Sequence, residues 1–155
     1  MLHIVLYEPQ IPQNTGNIAR TCAALGAGLH LIEPLGFHLD DSRMKRAGLD
    51  YWPQVAMEVH SSLQALLLAQ PLAEANSYYL SSHAAQNYTQ VDYPPETYFF
   101  FGRETTGLPE NLLTANPSRC IRIPMRSGAR SLNLSNAAAI IAYDFARRHN
   151  FPGCV

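Results

Sequence analysis

The chain has 155 residues, 47% of them hydrophobic and 15% charged, which predicts one folded domain over residues 1–155 and excludes a disordered protein. The formal net charge of −1 means that any nucleic-acid surface must come from local basic clusters. Three cysteines without a CxxC motif indicate reduced thiols in the cytoplasm. The six histidines show no ligand spacing, so no metal site is predicted, and no apolar stretch is long enough to span a membrane.

Short apolar runs predict strands, and segments with apolar residues at helical spacing predict helices. Strands are predicted at 2–7, 29–33, 55–59, 77–81, 97–101 and 119–123. Helices are predicted at 14–25, 42–47, 61–69, 109–116 and 133–149, with Asn14 as the N-cap of the first and Gly26 at its end. This alternation predicts an α/β domain with a mainly parallel sheet and helices on both faces. Ligands of such sheets bind beyond the carboxyl ends of the strands.

Three loop segments carry more polar residues than a turn needs: 14–20 (NTGNIAR), 101–109 (FGRETTGLP) and 121–138, which includes IRIPM and SLNLSNAA. Familiar motifs of other classes fail. Leu108 stands where a phosphate-binding P-loop needs lysine, no GxGxxG follows the first strand, and no GxSxG is present. These absences argue against a P-loop enzyme, a dinucleotide-dependent oxidoreductase and an acyl hydrolase.

Together, the three segments resemble the signature motifs of the SPOUT (trefoil-knot) methyltransferases. Residues 2–37 and the segment KRAGLDYW at 45–52 are similar to one branch, the tRNA (cytidine/uridine-34) 2′-O-methyltransferase family (TrmL/YibK). The resemblance implies an α/β domain with a C-terminal trefoil knot, and S-adenosyl-L-methionine as the cofactor. It also implies methylation of the ribose of the wobble nucleotide, the tRNA anticodon stem-loop as the partner, and a homodimer with active sites near the subunit interface.

By position, the resemblance places five residues at the cofactor: Leu80, Gly102, Ile123, Ser131 and Leu132. Glycine at 102 would let the cofactor approach the main chain closely. The three apolar side chains would face the adenine, and the loop amides would hydrogen-bond it. For Leu80 and Ile123 the alternative is an ordinary place in the core.

Arg20, which ends the first motif, matches the arginine at the reaction centre of this superfamily. Because a guanidinium is almost always protonated, it is a poor base. We therefore expect Arg20 to clamp the adjacent phosphate and to stabilise developing alkoxide charge. The alternative is a helix-surface ion pair with Glu8 or Glu104.

Four more residues are catalytic candidates by the same resemblance, each beside a structural alternative. Glu104 orients Arg20 or fixes its own loop, and Asn133 orders the knot loop or caps the last helix. Tyr143 faces the RNA or lies in the core. Asn14 is expected to be both an N-cap and part of the site.

Two basic clusters are candidates for RNA contact: Arg43, Lys45 and Arg46, and Arg122, Arg126 and Arg130. The second is favoured because it adjoins the cofactor loop, and unpaired anticodon nucleotides need few contacts. For the first, a solvated face balanced by nearby aspartates is the alternative.

Two alternative functions share the same fold. One is a related SPOUT 2′-O-methyltransferase acting on another tRNA or rRNA ribose. The other is a non-catalytic knotted RNA-binding protein, which would have lost the cofactor loops or the arginine.

Overall fold

The computed structural model describes residues 1–40 and 55–155, along which strands and helices alternate. The strands are β1 (Leu2–Tyr7), β2 (Gly28–Ile32), β3 (Met57–His60), β4 (Ser77–Leu80), β5 (Gln86–Asn87), β6 (Thr97–Phe101) and β7 (Cys120–Arg122). The helices are α1 (Pro12–Leu25), α2 (Leu63–Ala69), α3 (Ala73–Asn76), α4 (Glu110–Ala115) and α5 (Leu134–Arg148). Apart from the short α3 and β5, each matches a sequence prediction within two residues at either end. The helix predicted at 42–47 lies outside the described residues.

The strands form one sheet in the order β3-β2-β1-β6-β4-β7-β5 within residues 1–40 and 55–155. Every pairing in that order is parallel. The predicted parallel α/β sheet is therefore confirmed. Strand order alone does not define how the chain threads through its own loops, so the C-terminal trefoil knot stays a prediction.

Helices cover both faces of the sheet, as predicted. Residues of α1 and α5 pack on one face, and residues of α2, α3 and α4 pack on the other. Residues 98–101 lie between these layers and are at most 2% exposed. A parallel strand covered on both faces has no solvent side, which is why this run is apolar at every position.

The helix ends explain one failed prediction. Gly26 ends α1 in the left-handed conformation (φ 63°), as expected. Asn14, however, is not the N-cap of α1: the cap is Ile11, and its carbonyl accepts from Asn14 N at 3.1 Å. Pro12 starts the helix two residues earlier than predicted, because its fixed φ suits the first turn and it has no N–H to satisfy. The side chain of Asn14 is thus available to other parts of the chain.

In α5 the predicted cap is confirmed. The Asn133 side-chain oxygen accepts hydrogen bonds from Ser135 N (2.9 Å) and Asn136 N (3.3 Å). Among the described residues, no helix has both the length and the apolar character that crossing a membrane demands.

Candidate active site

A cleft of about 670 Å³ opens where β4, β6 and β7 end. The loops that follow these strands supply most of its wall, and the first turns of α1 and α5 complete it. The volume lies in the range of small-molecule sites, and the position is the one expected for a ligand of a parallel sheet.

The structure brings all five predicted cofactor residues to this cleft: Leu80, Gly102, Ile123, Ser131 and Leu132. Leu80 and Ile123 are half-buried and also pack against the core beneath α1 and α5, so the structure supports the core alternative too. Leu132 is 39% exposed, which leaves an apolar side chain available to a ligand.

Gly102 begins a tight loop, 102–107, which we call the glycine loop. Arg103 N donates to Gly107 O (3.2 Å), Gly107 N donates to Arg103 O (2.9 Å), and Gly107 has a φ of 72°. A Cβ atom at position 102 would overlap the backbone of Gly107 and Leu108. The loop itself therefore requires glycine here, a constraint separate from the predicted close approach of the cofactor.

Glu104 joins the glycine loop to the start of α1. Its carboxylate accepts hydrogen bonds from Gln10 N (2.8 Å), Ile11 N (3.0 Å) and Asn14 Nδ2 (3.2 Å). These are the contacts expected of a residue that fixes its loop. A carboxylate that accepts from backbone N–H groups is held in one orientation by strong, charge-assisted bonds.

Two further contacts tie the same loops together. Thr105 Oγ1 donates to Gln10 Oε1 (2.7 Å), and Arg103 Nε donates to Glu8 Oε2 (2.8 Å). Neither Gln10 nor Arg103 was a candidate from the sequence, because the contacts join residues 95 positions apart. Only the position of each loop after a strand could have indicated them.

Asn14 links the first and third segments. Its side-chain oxygen accepts from Asn133 Nδ2 (3.0 Å), while its own amide donates to Glu104. All three sequence segments are thus joined at one point, and Asn14, Glu104 and Asn133 all line the cleft.

Arg20 and Tyr143 lie elsewhere. Arg20 is exposed on α1, Tyr143 is 48% exposed on α5, and neither is among the described residues that line the cleft. The alternative of a buried Tyr143 in the core is therefore wrong: Tyr143 follows Ala142 on the solvent side of a helix whose other face is covered. Glu8, one of the two ion-pair partners considered for Arg20, forms an ion pair with Arg103.

Of the favoured basic cluster, Arg130 lines the cleft, while Arg126 is exposed and Arg122 donates to Asn87 Oδ1 at 3.0 Å. The other basic cluster, at 43–46, lies outside the described residues. Ser81, Ser82 and His83 also line the cleft; the sequence indicated their loop, after Leu80, but not the individual residues.

Fold and cleft together define an α/β domain with a small-molecule site at the carboxyl edge of a parallel sheet. The chain belongs to the SpoU rRNA Methylase family, whose model matches residues 1–143. This confirms the methyltransferase resemblance found in the sequence.

Individual relatives agree with that family. A Bacillus subtilis (strain 168) protein with the provisional name tRNA (cytidine(34)-2′-O)-methyltransferase is 52% identical over 153 residues, covering 97% of this chain and 94% of that one. A structure solved in a study of the 2-OH methylation of C/U34 on tRNA is 45% identical, with a TM-score of 0.90 and 97% of each chain covered.

The fold also matches a relative with a bound cofactor. The SpoU methyltransferase AviRb from Streptomyces viridochromogenes, solved in complex with AdoMet, is 25% identical with a TM-score of 0.86. The match covers 97% of this chain and 58% of that one.

Proposed function

We propose that this protein transfers a methyl group from S-adenosyl-L-methionine to the ribose 2′-hydroxyl of the wobble nucleotide, C34 or U34, of tRNA. The observation that carries the proposal is the convergence of the three sequence segments on one cleft at the carboxyl edge of the sheet. The family, and relatives whose names and structures concern methylation at nucleotide 34, support it.

The cleft suits the methyl donor. Its volume of about 670 Å³ accommodates a nucleoside with an amino-acid tail. Leu80, Ile123 and Leu132 offer apolar surface to an adenine, and the loop at Ser131 offers polar groups to a ribose. When bound, S-adenosyl-L-methionine supplies an electrophilic methyl group on a sulfonium.

We assign Asn14, Glu104 and Asn133 a positioning role. The Glu104 carboxylate already accepts from two backbone amides and the Asn14 side chain, and Asn14 in turn binds Asn133. This arrangement fixes the cleft wall before any ligand arrives, which lowers the entropic cost of aligning donor and acceptor. A carboxylate held by three donors is a weaker candidate for the proton acceptor.

Arg20 acts, in this proposal, on the substrate phosphate and on the developing alkoxide. Its place on α1 outside the cleft wall fits a site completed by a second copy of the chain.

Exposed apolar residues support the homodimer: Ile11 and Leu132 flank the cleft, and Ile140 and Tyr143 lie three residues apart on α5. One helix face that is apolar, exposed and next to a site is typical of an interface. Tyr143 belongs to that face, near the bound RNA.

The tRNA partner would approach along Arg126 and Arg130, beside the cleft. An unpaired anticodon nucleotide can be splayed into a pocket, so a chain of net charge −1 needs only this local positive patch. We also propose that the protein acts on this substrate in the cytoplasm, and that residues 1–155 act as one methyltransferase domain.

The decisive experiment is transfer of labelled methyl from S-adenosyl-L-methionine to unmodified total tRNA, with nuclease mapping of the product. We expect label on the ribose of nucleotide 34. Label on another ribose would keep the reaction and change the substrate, whereas cofactor binding without any label would favour the RNA-binding alternative.

A substitution tests the role of Arg20. We expect Arg20→Ala to lower methyl transfer by about a hundredfold or more, the scale of losing a charge-stabilising group. Cofactor affinity, measured by calorimetry, should stay within about twofold of the unsubstituted protein, a difference well below 1 kcal/mol. An equal loss of both would show that Arg20 supports the structure and does not act on the substrate.

A further inference from the structure

Three histidines that are far apart in the chain meet on β1, β2 and β3, away from the strands that form the cleft. His30 Nδ1 lies 3.1 Å from His60 Nε2, and His30 Nε2 lies 3.0 Å from His3 Nδ1. All three are at most 7% exposed. Parallel pairing of β2 and β3 puts His30 beside Glu58. Glu58 and His60 are two residues apart on β3, so both side chains lie on the same face of the sheet as His30.

These side chains have the donor atoms and spacing of a metal site. His30 Nδ1, His60 Nε2 and Glu58 Oε2 are separated by 3.1, 3.8 and 3.6 Å. A tetrahedral Zn²⁺ ion bound at about 2.0–2.1 Å holds its ligand atoms about 3.3–3.4 Å apart. The three distances bracket that value, so small ring rotations suffice for a common ion.

We propose that His30, His60 and Glu58 form a binding site for one divalent transition-metal ion of the Zn²⁺ class, which joins the edge strand β3 to β2. Two histidines and one carboxylate are a common ligand set for such ions, with water as the fourth ligand. Glu58 has a side chain that is 50% exposed, so the ion has an entry path and the water has room. This site is separate from the methyl-transfer cleft and does not depend on it.

The surrounding hydrogen bonds suit a bound ion. A metal on Nδ1 of His30 leaves the proton on its Nε2, which then donates to His3 Nδ1. His3 is thereby protonated on Nε2. This buried atom has no hydrogen-bond partner among the described residues, and it lies 3.7 Å from Glu96 Oε1.

The carboxylate is also held in place. Gln70 Nε2 donates to Glu58 Oε2 (3.2 Å), and Gln70 Oε1 accepts from the Tyr98 hydroxyl (3.1 Å). The Tyr98 ring stacks on His3 with 4.1 Å between centroids. Glu58 is thus connected to His3 through Gln70 and Tyr98. This network orients Glu58 in the way that outer-shell partners orient a metal-binding carboxylate.

Direct titration tests the proposal. The purified full chain, treated with chelator and dialysed, would carry Cys154→Ser, because Cys154 is an exposed free thiol and thiols of this kind bind zinc. We expect calorimetry to show one Zn²⁺ bound per chain, and Co²⁺ to give the visible absorption of a four-coordinate ion. Zn²⁺ should also raise the melting temperature, since it binds the folded chain preferentially.

Matched variants locate the ion. In the same background, Glu58→Gln should weaken Zn²⁺ binding at least about tenfold, a loss of about 1.4 kcal/mol. His60→Gln should abolish it, and His38→Gln, at an exposed histidine outside the cluster, should leave it unchanged. Glu58 is a surface residue, so its variant should fold, which circular dichroism would verify.

Two outcomes would overturn the proposal. One is no Zn²⁺ binding by the chelator-treated chain, in which case the cluster is only a set of imidazoles hydrogen-bonded to one another. The other is binding that survives both Glu58→Gln and His60→Gln. Methyl transfer to tRNA is measured separately. Absence of Zn²⁺ binding therefore does not contradict the proposed function, and absence of methyl transfer does not contradict the metal site.

Discussion

The cleft and the histidine cluster are assembled in opposite ways. In the cleft, side chains on loops join residues as far apart as 119 positions; Asn133 and Gln10 are exposed, and Glu104 is half-buried. In the cluster, buried side chains on neighbouring strands meet because strand register places them together. Exposed contacts add little stability but determine loop geometry, whereas buried polar networks are costly to disturb. Changes in the cleft should therefore impair function more than stability, and changes in the cluster should do the reverse.

The largest effect should come from Gly102→Ala. The added Cβ would overlap the backbone of Gly107 and Leu108, and a backbone cannot move aside as a side chain can. We expect S-adenosyl-L-methionine affinity, measured by calorimetry, to fall by about a thousandfold, equivalent to roughly 4 kcal/mol. Wild-type affinity in a folded variant would show that the glycine loop does not shape the cofactor site.

Glu104→Ala should follow, because it removes the acceptor of two backbone amides and of Asn14. A hydrogen bond to a charged group contributes about 1.5–3 kcal/mol, and a net loss equal to about one such bond would lower kcat/KM by about a hundredfold. Glu104→Gln keeps one acceptor oxygen, so its kcat/KM should lie between those of the unsubstituted protein and Glu104→Ala. Glu110→Ala, at an exposed carboxylate on α4, is the control. Equal losses in the two alanine variants would contradict the positioning role.

A pair of helix caps separates stability from function. Asn133 caps α5 and Ser62 caps α2, each accepting from backbone amides. Replacement of either by alanine should lower the free energy of unfolding by about 1 kcal/mol. Only Asn133→Ala also loses the bond to Asn14, so only this variant should bind the cofactor about tenfold more weakly. If both weaken it alike, helix stability alone explains the effect.

Gly28→Ala should have the smallest effect on methyl transfer. Its Cβ would lie 2.7 Å from His3 Nδ1, the terminal part of a side chain, so His3 can move at the expense of its bond to His30. We expect chemical denaturation to show a loss of about 1–3 kcal/mol, the usual result of overpacking, with an unchanged rate of methyl transfer. A strong drop in that rate would mean that the two regions are coupled.

Local patterns predicted most of the fold. The apolar run at 97–101 and the helical spacing of Ala138, Ile141 and Phe145 reflect burial that each segment shows on its own. α3 and β5 were missed because four and two residues carry no periodicity. The Asn14 cap was wrong because its residue type suits a cap, but Pro12 starts the helix earlier.

The sequence by itself determined the strands and helices, the class of fold and, through resemblance, the five cofactor residues that line the cleft. Only the tertiary structure decided that Glu104 binds the start of α1, that Tyr143 is exposed, and that His3, His30 and His60 meet. The physical reason is the separation along the chain between the residues that interact. Helix and strand patterns arise among neighbours in the chain, whereas strand register and loop closure depend on contacts between segments whose separation leaves no periodic signal.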